Sequence, residues 1–292
     1  IFKDQSIRKF FKKLLPAVIG GNVMQINLLI DSVFASLFAG ALSYLYYADR
    51  INQLPLAMIG IAIGIALLPS MSRKIQAGDV KEAIKLQNYA LEVGLLFVVP
   101  ASFALICLAH PIITTLFERG EFSVDDSFHV ARALQIYAIG LPAYVLVKVM
   151  EPGFFARGNT KTPMKIALFC LFTNLFFNSV FYLNGFSYAG IALSSVCSSY
   201  INLSLLTFNL TKKRQFNFIS GFFAKTLKIV FAALLMVLII FFLKSYFDKN
   251  EAFHVVIELI LMITSGILVY FLMAYLVGSL SVLSKAGLAK NI

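Results

Sequence analysis

The feature that most constrains this chain is a series of eight apolar stretches, each long enough to cross a lipid bilayer. A transmembrane helix needs about 20 mostly apolar residues. Backbone in lipid must satisfy its own hydrogen bonds, so each stretch is predicted to be a helix. The predicted spans are residues 14–38, 43–70, 86–110, 128–150, 163–183, 187–210, 226–246 and 254–279. We therefore predict an all-α, polytopic membrane protein with eight transmembrane helices.

The placement of the positive charges predicts the orientation of these helices. The chain carries 25 Lys and Arg residues against 14 Asp and Glu, a net charge of +11. Because the predicted spans alternate in direction, 19 of the 25 fall on one side of the membrane and 3, namely Arg119, Lys244 and Lys249, on the other; Arg50, Arg132 and Lys148 lie within spans. Cytoplasmic loops are enriched in Lys and Arg. We therefore predict that both termini are cytoplasmic and that the excess charge reflects topology, with no nucleic-acid partner.

The segment between the third and fourth spans carries the carboxylates that a membrane enzyme would need. Glu118, Glu121, Asp125 and Asp126 lie there, and paired acids can perform acid–base chemistry. The chain has no nucleophile motif and no His cluster beside them, and its three Cys residues show no metal or disulfide spacing. We predict that the chain is not an enzyme and has no catalytic residue; a membrane glycosyltransferase is the less favoured alternative.

Two charged residues stand near the start of the second span, in YYADRINQLP. A charge inside a span is costly and normally faces protein or water, where it has a function. The guanidinium of Arg50 can bind phosphate oxygens in a bidentate way that Lys cannot. The alternative is an internal ion pair with Asp49 or Asp31, since Asp31 and Arg50 are both about 10 Å from the same membrane face at ~1.5 Å per residue. The sequence alone leaves these two interpretations open.

Polar side chains in three spans predict a monovalent cation site. Asn174 and Asn178 are four residues apart in the fifth span, and Asp31 and Ser194 are expected at a similar depth. One carboxylate, two amide oxygens and a hydroxyl form a hard oxygen cage with one negative charge, which suits Na⁺. The alternative is that the amides only form hydrogen bonds between helices.

Several motifs in order carry a resemblance to a known family. YYADRINQLP with IGIAIGIALLPSMSR, then LFERGEFSVDD, then EPGFFARGNTKTPMKIA resemble the MurJ (MviN) lipid II flippases of the multidrug/oligosaccharidyl-lipid/polysaccharide (MOP) exporter superfamily. The resemblance implies fourteen helices in the whole protein, of which this chain supplies the last eight. Residues 1–210 would form a six-helix second lobe and residues 226–279 two additional helices. The N-terminal lobe would be missing.

The resemblance implies a function in cell-wall synthesis. It predicts that the chain helps to move a polyprenyl-pyrophosphate-linked glycan, lipid II, across the bacterial inner membrane by alternating access. Arg50 and Asp49 would then bind substrate, and Asp31 would be a charge partner. The alternatives are an exporter of another polyprenyl-linked glycan and a cation-coupled drug exporter of the same superfamily. A drug exporter should carry an excess of buried acids in its cavity, whereas a pyrophosphate carrier should carry an excess of arginine.

Overall fold

Every regular element in residues 25–250 and 255–282, which this computed structural model describes, is helical. Within these two ranges, seven segments are long and apolar enough to cross a membrane. The helices are α1 Gln25–Ala35, α2 Ala41–Pro55, α3 Ala62–Gln76, α4 Val80–Phe117, α5 Val124–Phe155, α6 Lys161–Leu183, α7 Ala189–Lys212, α8 Phe222–Asn250 and α9 Val255–Leu276. Helices α2 and α3 form one continuous 36-residue span. The predicted fold class is confirmed, although the first predicted span, 14–38, lies partly outside the described residues.

Two helices are longer than their apolar stretches predict. Helix α4 has 38 residues and α5 has 32, against predicted spans of 86–110 and 128–150. Each continues into a polar flank that ends at a cap. The side chain of Asp79 accepts from the backbone N–H of Glu82 at 3.2 Å, and Ser123 and Asp126 form a capping box at the start of α5. Apolar length identifies the part in the membrane, whereas the caps determine where the helix begins.

Helices α2 and α3 are joined by a π-helical turn, Leu56–Ile61, directly after Pro55. This continuous helix packs closely against α5 through two glycines. A Cβ atom on Gly60 would lie 3.1 Å from Cα of Val145, and one on Gly64 would lie 2.8 Å from the carbonyl oxygen of Lys148. Small residues let helix backbones approach in this way in membrane proteins.

Helices α4 and α5 form an antiparallel pair at the centre of the bundle. Gln87, near the start of α4, donates to the carbonyl of Met150 near the end of α5 at 3.3 Å. The hydroxyl of Ser102 donates to the carbonyl of Ala138 at 2.5 Å. Helices α2, α3 and α7 pack against α5, whereas α8 and α9 pack against α4. The division into residues 1–210 and 226–279 stays a prediction.

Candidate functional site

A cavity of about 440 Å³ lies inside the bundle, between α1, α2, α5, α6 and α7. One end is formed by Asp31 and Tyr137, and the other by Phe155 and Thr160 at the α5–α6 loop. Its polar wall includes side chains from four of these helices, α1, α2, α5 and α7: Asn27, Asp31, Asp49, Asn52, Lys148, Glu151, Ser195, Ser199 and Asn202. Such a polar wall inside a bundle of apolar helices is typical of a binding site for a polar or charged ligand.

The carboxylate of Asp31 is the centre of a buried hydrogen-bond network. Its Oδ1 accepts from Nδ2 of Asn178 at 2.8 Å, and its Oδ2 accepts from the hydroxyl of Ser195 at 2.7 Å. Asn178 also donates to Oδ1 of Asn174 at 3.0 Å, and Asn174 donates to Ser195 at 3.2 Å. Three helices therefore converge on one negative charge, which has only neutral donors around it.

The prediction that Ser194 contacts Asp31 is wrong: in the structure, the hydroxyl that contacts Asp31 belongs to Ser195. Ser194 donates instead to the carbonyl of Gly190, one turn back in its own helix, at 2.9 Å. Adjacent residues on a helix point about 100° apart, so only one of the two can face α1. The depth in the membrane was predicted from the sequence, but the direction of the side chain depends on how α7 is rotated in the bundle.

Three amide oxygens near this network are buried and accept no hydrogen bond from the residues that the structure describes. They are Oδ1 of Asn27, Asn52 and Asn178. Asn27 and Asn52 line the cavity together with Asp31. Unpaired acceptors beside a carboxylate are the ligand type that hard cations bind. No group of three or more His, Cys, Asp or Glu side chains capable of holding a metal occurs in residues 25–250 and 255–282.

Asp49 and Arg50 point to different sides of α2. Asp49 lines the cavity, and its carboxylate accepts from the side-chain amide of Gln53. Arg50 is exposed; its guanidinium carbon lies 4.6 Å from the ring centroid of Tyr46, and its Nη1 donates to Gln53 at 3.3 Å. Among the described residues, no carboxylate lies within ion-pair distance of Arg50. The alternative of an internal ion pair with Asp31 or Asp49 is therefore not what the structure shows.

Acidic groups outnumber basic ones among the described residues of the cavity wall. These are Asp31, Asp49 and Glu151 against one base, Lys148, whose Nζ lies 3.3 Å from Oε2 of Glu151. None of the described lining residues is an arginine. A drug exporter was expected to carry an excess of buried acids and a pyrophosphate carrier an excess of arginine, so this described wall resembles the first pattern.

Carboxylates before and at the start of α5 have structural partners. Asp126 closes the capping box with Ser123. Asp125 lies 3.4 Å from Nε2 of His129, whose Nδ1 is 2.8 Å from the hydroxyl of Tyr188 and whose ring stacks on Tyr44 with a centroid distance of 5.0 Å. These contacts join α2, α5 and the start of α7. They give Asp125 and Asp126 a structural role.

Sequence reasoning missed several residues of the cavity wall. Ser195, Ser198, Ser199 and Asn202 face it from α7. They stand at positions i, i+3, i+4 and i+7, which is the spacing of one helix face, so this pattern was readable from the sequence. Asn27 and Asn52 offered no comparable pattern, because single amides in spans are common between helices.

The sequence matches the family model described as "Lipid II flippase MurJ" over residues 1–280. The probable lipid II flippase MurJ of Rickettsia prowazekii (strain Madrid E) is 36% identical over 277 residues, which cover 94% of this chain and 54% of that protein. The corresponding protein of Rhizobium meliloti (strain 1021) is 41% identical over 201 residues, 69% of this chain and 37% of that protein. The chain thus spans about half the length of the curated relatives it matches.

Solved structures agree with this relationship. A structure described as lipid II flippase MurJ in an inward closed conformation superposes with a TM-score of 0.77 at 28% identity, over 94% of this chain and 56% of that one. An outward-facing transporter of the multidrug resistance MATE family, from the MOP superfamily, superposes with a TM-score of 0.63 at 16% identity, over 94% of this chain and 66% of that one. The second likeness concerns the fold alone.

Proposed function

The chain belongs to the MurJ family of lipid II flippases, and on that premise we propose that it forms part of a transporter that moves lipid II across the bacterial inner membrane. The ligand is a glycan linked to a polyprenyl chain through a pyrophosphate. Its headgroup is anionic and strongly hydrated, and its tail is apolar. The protein must therefore offer positive charge away from lipid for the headgroup while the tail stays in the bilayer. No covalent step is required.

The observation that carries this proposal is the position of Arg50. Tyr46, Arg50 and Leu54 on α2 and Met58 in the π-helical turn follow each other at intervals of four residues, so they form one row along the span. Within the described residues all four side chains are exposed, with 54%, 59% and 78% relative exposure for Tyr46, Leu54 and Met58. A guanidinium about 10 Å inside a span is too costly to face lipid. This row therefore faces water or another protein surface, where Arg50 is free to bind phosphate oxygens.

The geometry around Arg50 favours an oxyanion ligand. Tyr46 holds the guanidinium over its ring and Gln53 holds Nη1 from one turn further on, so the side chain is oriented without being neutralised. A planar guanidinium oriented in this way can present two parallel N–H groups to one phosphate. Asp49 accepts a hydrogen bond from the amide of the same Gln53 and faces the cavity.

We assign the acidic cavity to a coupling cation rather than to an exported drug. Asp31, with Asn174, Asn178 and Ser195 around it, offers one charge and several oxygens, which is the donor set of a Na⁺ site. The cation-coupled drug exporter remains the second candidate because this cavity is acidic. The family relationship favours the flippase, and Arg50 lies outside the lining of the cavity, although Gln53 links it to Asp49.

The transport cycle that we propose is alternating access. In secondary transporters, two halves rock about a site near the middle of the membrane. This chain supplies one half, with the exposed row of α2 turned toward the other half of a full-length protein. On the basis of the charge asymmetry of the loops, we assign the α5–α6 loop and the α7–α8 loop to the cytoplasmic side.

The test replaces Arg50 in the full-length protein and measures whether the variant supports cell-wall synthesis. Arg50→Ala should abolish growth support at normal membrane levels, and Arg50→Lys should restore it poorly, because an ammonium cannot form the bidentate contact. Arg119→Ala, an arginine of the α4–α5 loop, is the control and should be active. Full activity of Arg50→Ala would contradict the proposed contact with the headgroup.

A further inference from the structure

We propose that the cavity is the route by which a hydrated monovalent cation reaches Asp31 from the α5–α6 end of the bundle, with Lys148 and Glu151 controlling its entry. This inference rests on the proposed cation site. It adds a direction of access, a wall and a mouth to that site.

The cavity is elongated along the bundle. On α5 its lining runs from Tyr137 to Glu151 and Phe155; the first two are 14 positions apart, which corresponds to roughly 21 Å at 1.5 Å per residue. Asp31 lies at the Tyr137 end, and Thr160 of the α5–α6 loop lies at the other. A cavity of this length is a passage rather than a pocket for one ion.

The wall of the passage offers polar groups at successive depths. On α7, Ser195, Ser199 and Asn202 line it one turn after another, a rise of roughly 10 Å. Ser195 contacts Asp31 directly at 2.7 Å. Hydroxyl and amide groups at this spacing can replace part of the hydration of an ion as it moves inward. The unpaired Oδ1 atoms of Asn27 and Asn52 add acceptors on the opposite wall.

The described lining residues of the cavity stop at the depth of Asp31. On α6 the lining extends toward the α6–α7 turn only as far as Leu171, and on α7 it begins at Ser195. Closer to that turn the two helices are in tight contact, since a Cβ atom on Gly190 would lie 2.9 Å from Cβ of Phe181. An ion at Asp31 would therefore communicate with the α5–α6 end rather than with the opposite end.

The mouth carries a pair of opposite charges. Nζ of Lys148 lies 3.3 Å from Oε2 of Glu151, and the two side chains are 34% and 25% exposed. The ammonium repels an entering cation and the carboxylate attracts it. Removing the charge of Lys148 should therefore make the electrostatic potential at the mouth more negative, and removing that of Glu151 should make it more positive. These two opposite effects distinguish the proposed role from a purely structural one.

The test uses charged thiol reagents in membrane vesicles of the full-length protein without its native cysteines. Single cysteines are placed at Asn202, in the passage, and at Ser204, which is exposed two residues further along α7 outside the cavity wall. Lys213→Cys marks the side of the membrane on which the α7–α8 loop lies. The reagents are the cationic trimethylammonium-ethyl and the anionic sulfonato-ethyl methanethiosulfonates.

We expect Asn202→Cys to react from the side that labels Lys213→Cys, faster with the cationic reagent, and Ser204→Cys to remain unlabelled. Lys148→Gln should raise the ratio of cationic to anionic rates about threefold, and Glu151→Gln should lower it by a similar factor, since one unit charge acts across a short, partly aqueous distance. Labelling of Lys213→Cys in each background shows that the variant is folded and inserted.

The inference is wrong if Asn202→Cys is labelled only from the opposite side, from neither side, or equally by both reagents. It is also wrong if the two charge variants leave the ratio unchanged. Failure of the proposed flippase function, seen as full activity of Arg50→Ala, would not alter these rates. Failure of the cation site alone would appear as an absent Na⁺ effect on stability, with the passage still reactive.

Discussion

Both carboxylate oxygens of Glu92 accept hydrogen bonds of 2.8 Å from Nζ of Lys225, which joins α4 to α8. The Glu92 side chain is only 2% exposed and that of Lys225 is 25% exposed. Next to this pair, Asn88 donates to the carbonyl of Asn217 at 2.9 Å and accepts from the backbone N–H of Ile219 at 3.2 Å. The start of α8 and the loop before it are therefore attached to α4 by polar contacts.

Lys225→Met should lower the thermal stability of the purified protein substantially. It leaves the carboxylate of Glu92 buried and unpaired, and loss of one partner of a buried ion pair costs about 3–5 kcal/mol. Lys228→Met, at an exposed position one turn along the same helix, is the control and should have little effect. The double variant Glu92→Gln with Lys225→Met should recover part of the loss; equal melting temperatures for the two single Lys variants would contradict the role of the pair.

NaCl should raise the melting temperature of the full-length protein relative to equal concentrations of KCl or choline chloride. Binding to the folded state alone contributes about 1.4 kcal/mol at a Na⁺ concentration ten times the Kd. Asp31→Asn and Ser195→Ala should reduce this difference. Ser194→Ala should preserve it, because that hydroxyl bonds within α7. Loss of the Na⁺ effect in Ser194→Ala but not in Ser195→Ala would show that the geometry has been assigned to the wrong residue.

Gly64→Ala should destabilise the contact between the α2–α3 span and α5. The added methyl group would lie 2.8 Å from the carbonyl oxygen of Lys148, and overpacking of this kind costs roughly 1–3 kcal/mol. Gly94→Ala is the matched control: its nearest new contacts are with side chains at 3.7–3.8 Å, so it should be tolerated. Thermal unfolding of both variants in detergent measures the difference, and identical curves would rule out a close approach at Gly64.

The orientation of the chain in the membrane can be measured by labelling single cysteines with an impermeant thiol reagent in intact cells. Glu121→Cys, in the α4–α5 loop, should be labelled, whereas Lys213→Cys, after α7, should be labelled only after permeabilisation. The reason is the concentration of Lys and Arg on the second side. The reverse pattern would invert the proposed topology and place the mouth of the cavity outside.

Features that depend on apolar length and local sequence signals, such as the transmembrane spans, were predicted correctly. Contacts that depend on the direction in which a side chain points were not. The seven spans found in the described residues were predictable because each depends on a short run of residues. The meeting of Asp31 with Asn178, 147 positions away, was predicted by depth alone. To predict that Ser195 rather than Ser194 contacts Asp31, the rotation of α7 about its axis would have to be known. The exposed position of Arg50 likewise depends on the rotation of α2. No local pattern contains these angles, because packing against other helices sets them.

The π-helical turn at Leu56–Ile61 keeps the two halves of the α2–α3 span in angular register. Ala41 and Met71 are both fully buried, yet they are 30 positions apart. In a regular α-helix of ~100° per residue they would differ by roughly 120° in azimuth. A π turn accommodates one additional residue, which removes roughly 100° and brings the two side chains back to the same face. Deleting one residue of this turn would therefore convert it to a regular α-helix and keep Gly64 facing α5, whereas inserting one would rotate the whole of α3 by roughly 100° and turn Gly64 away.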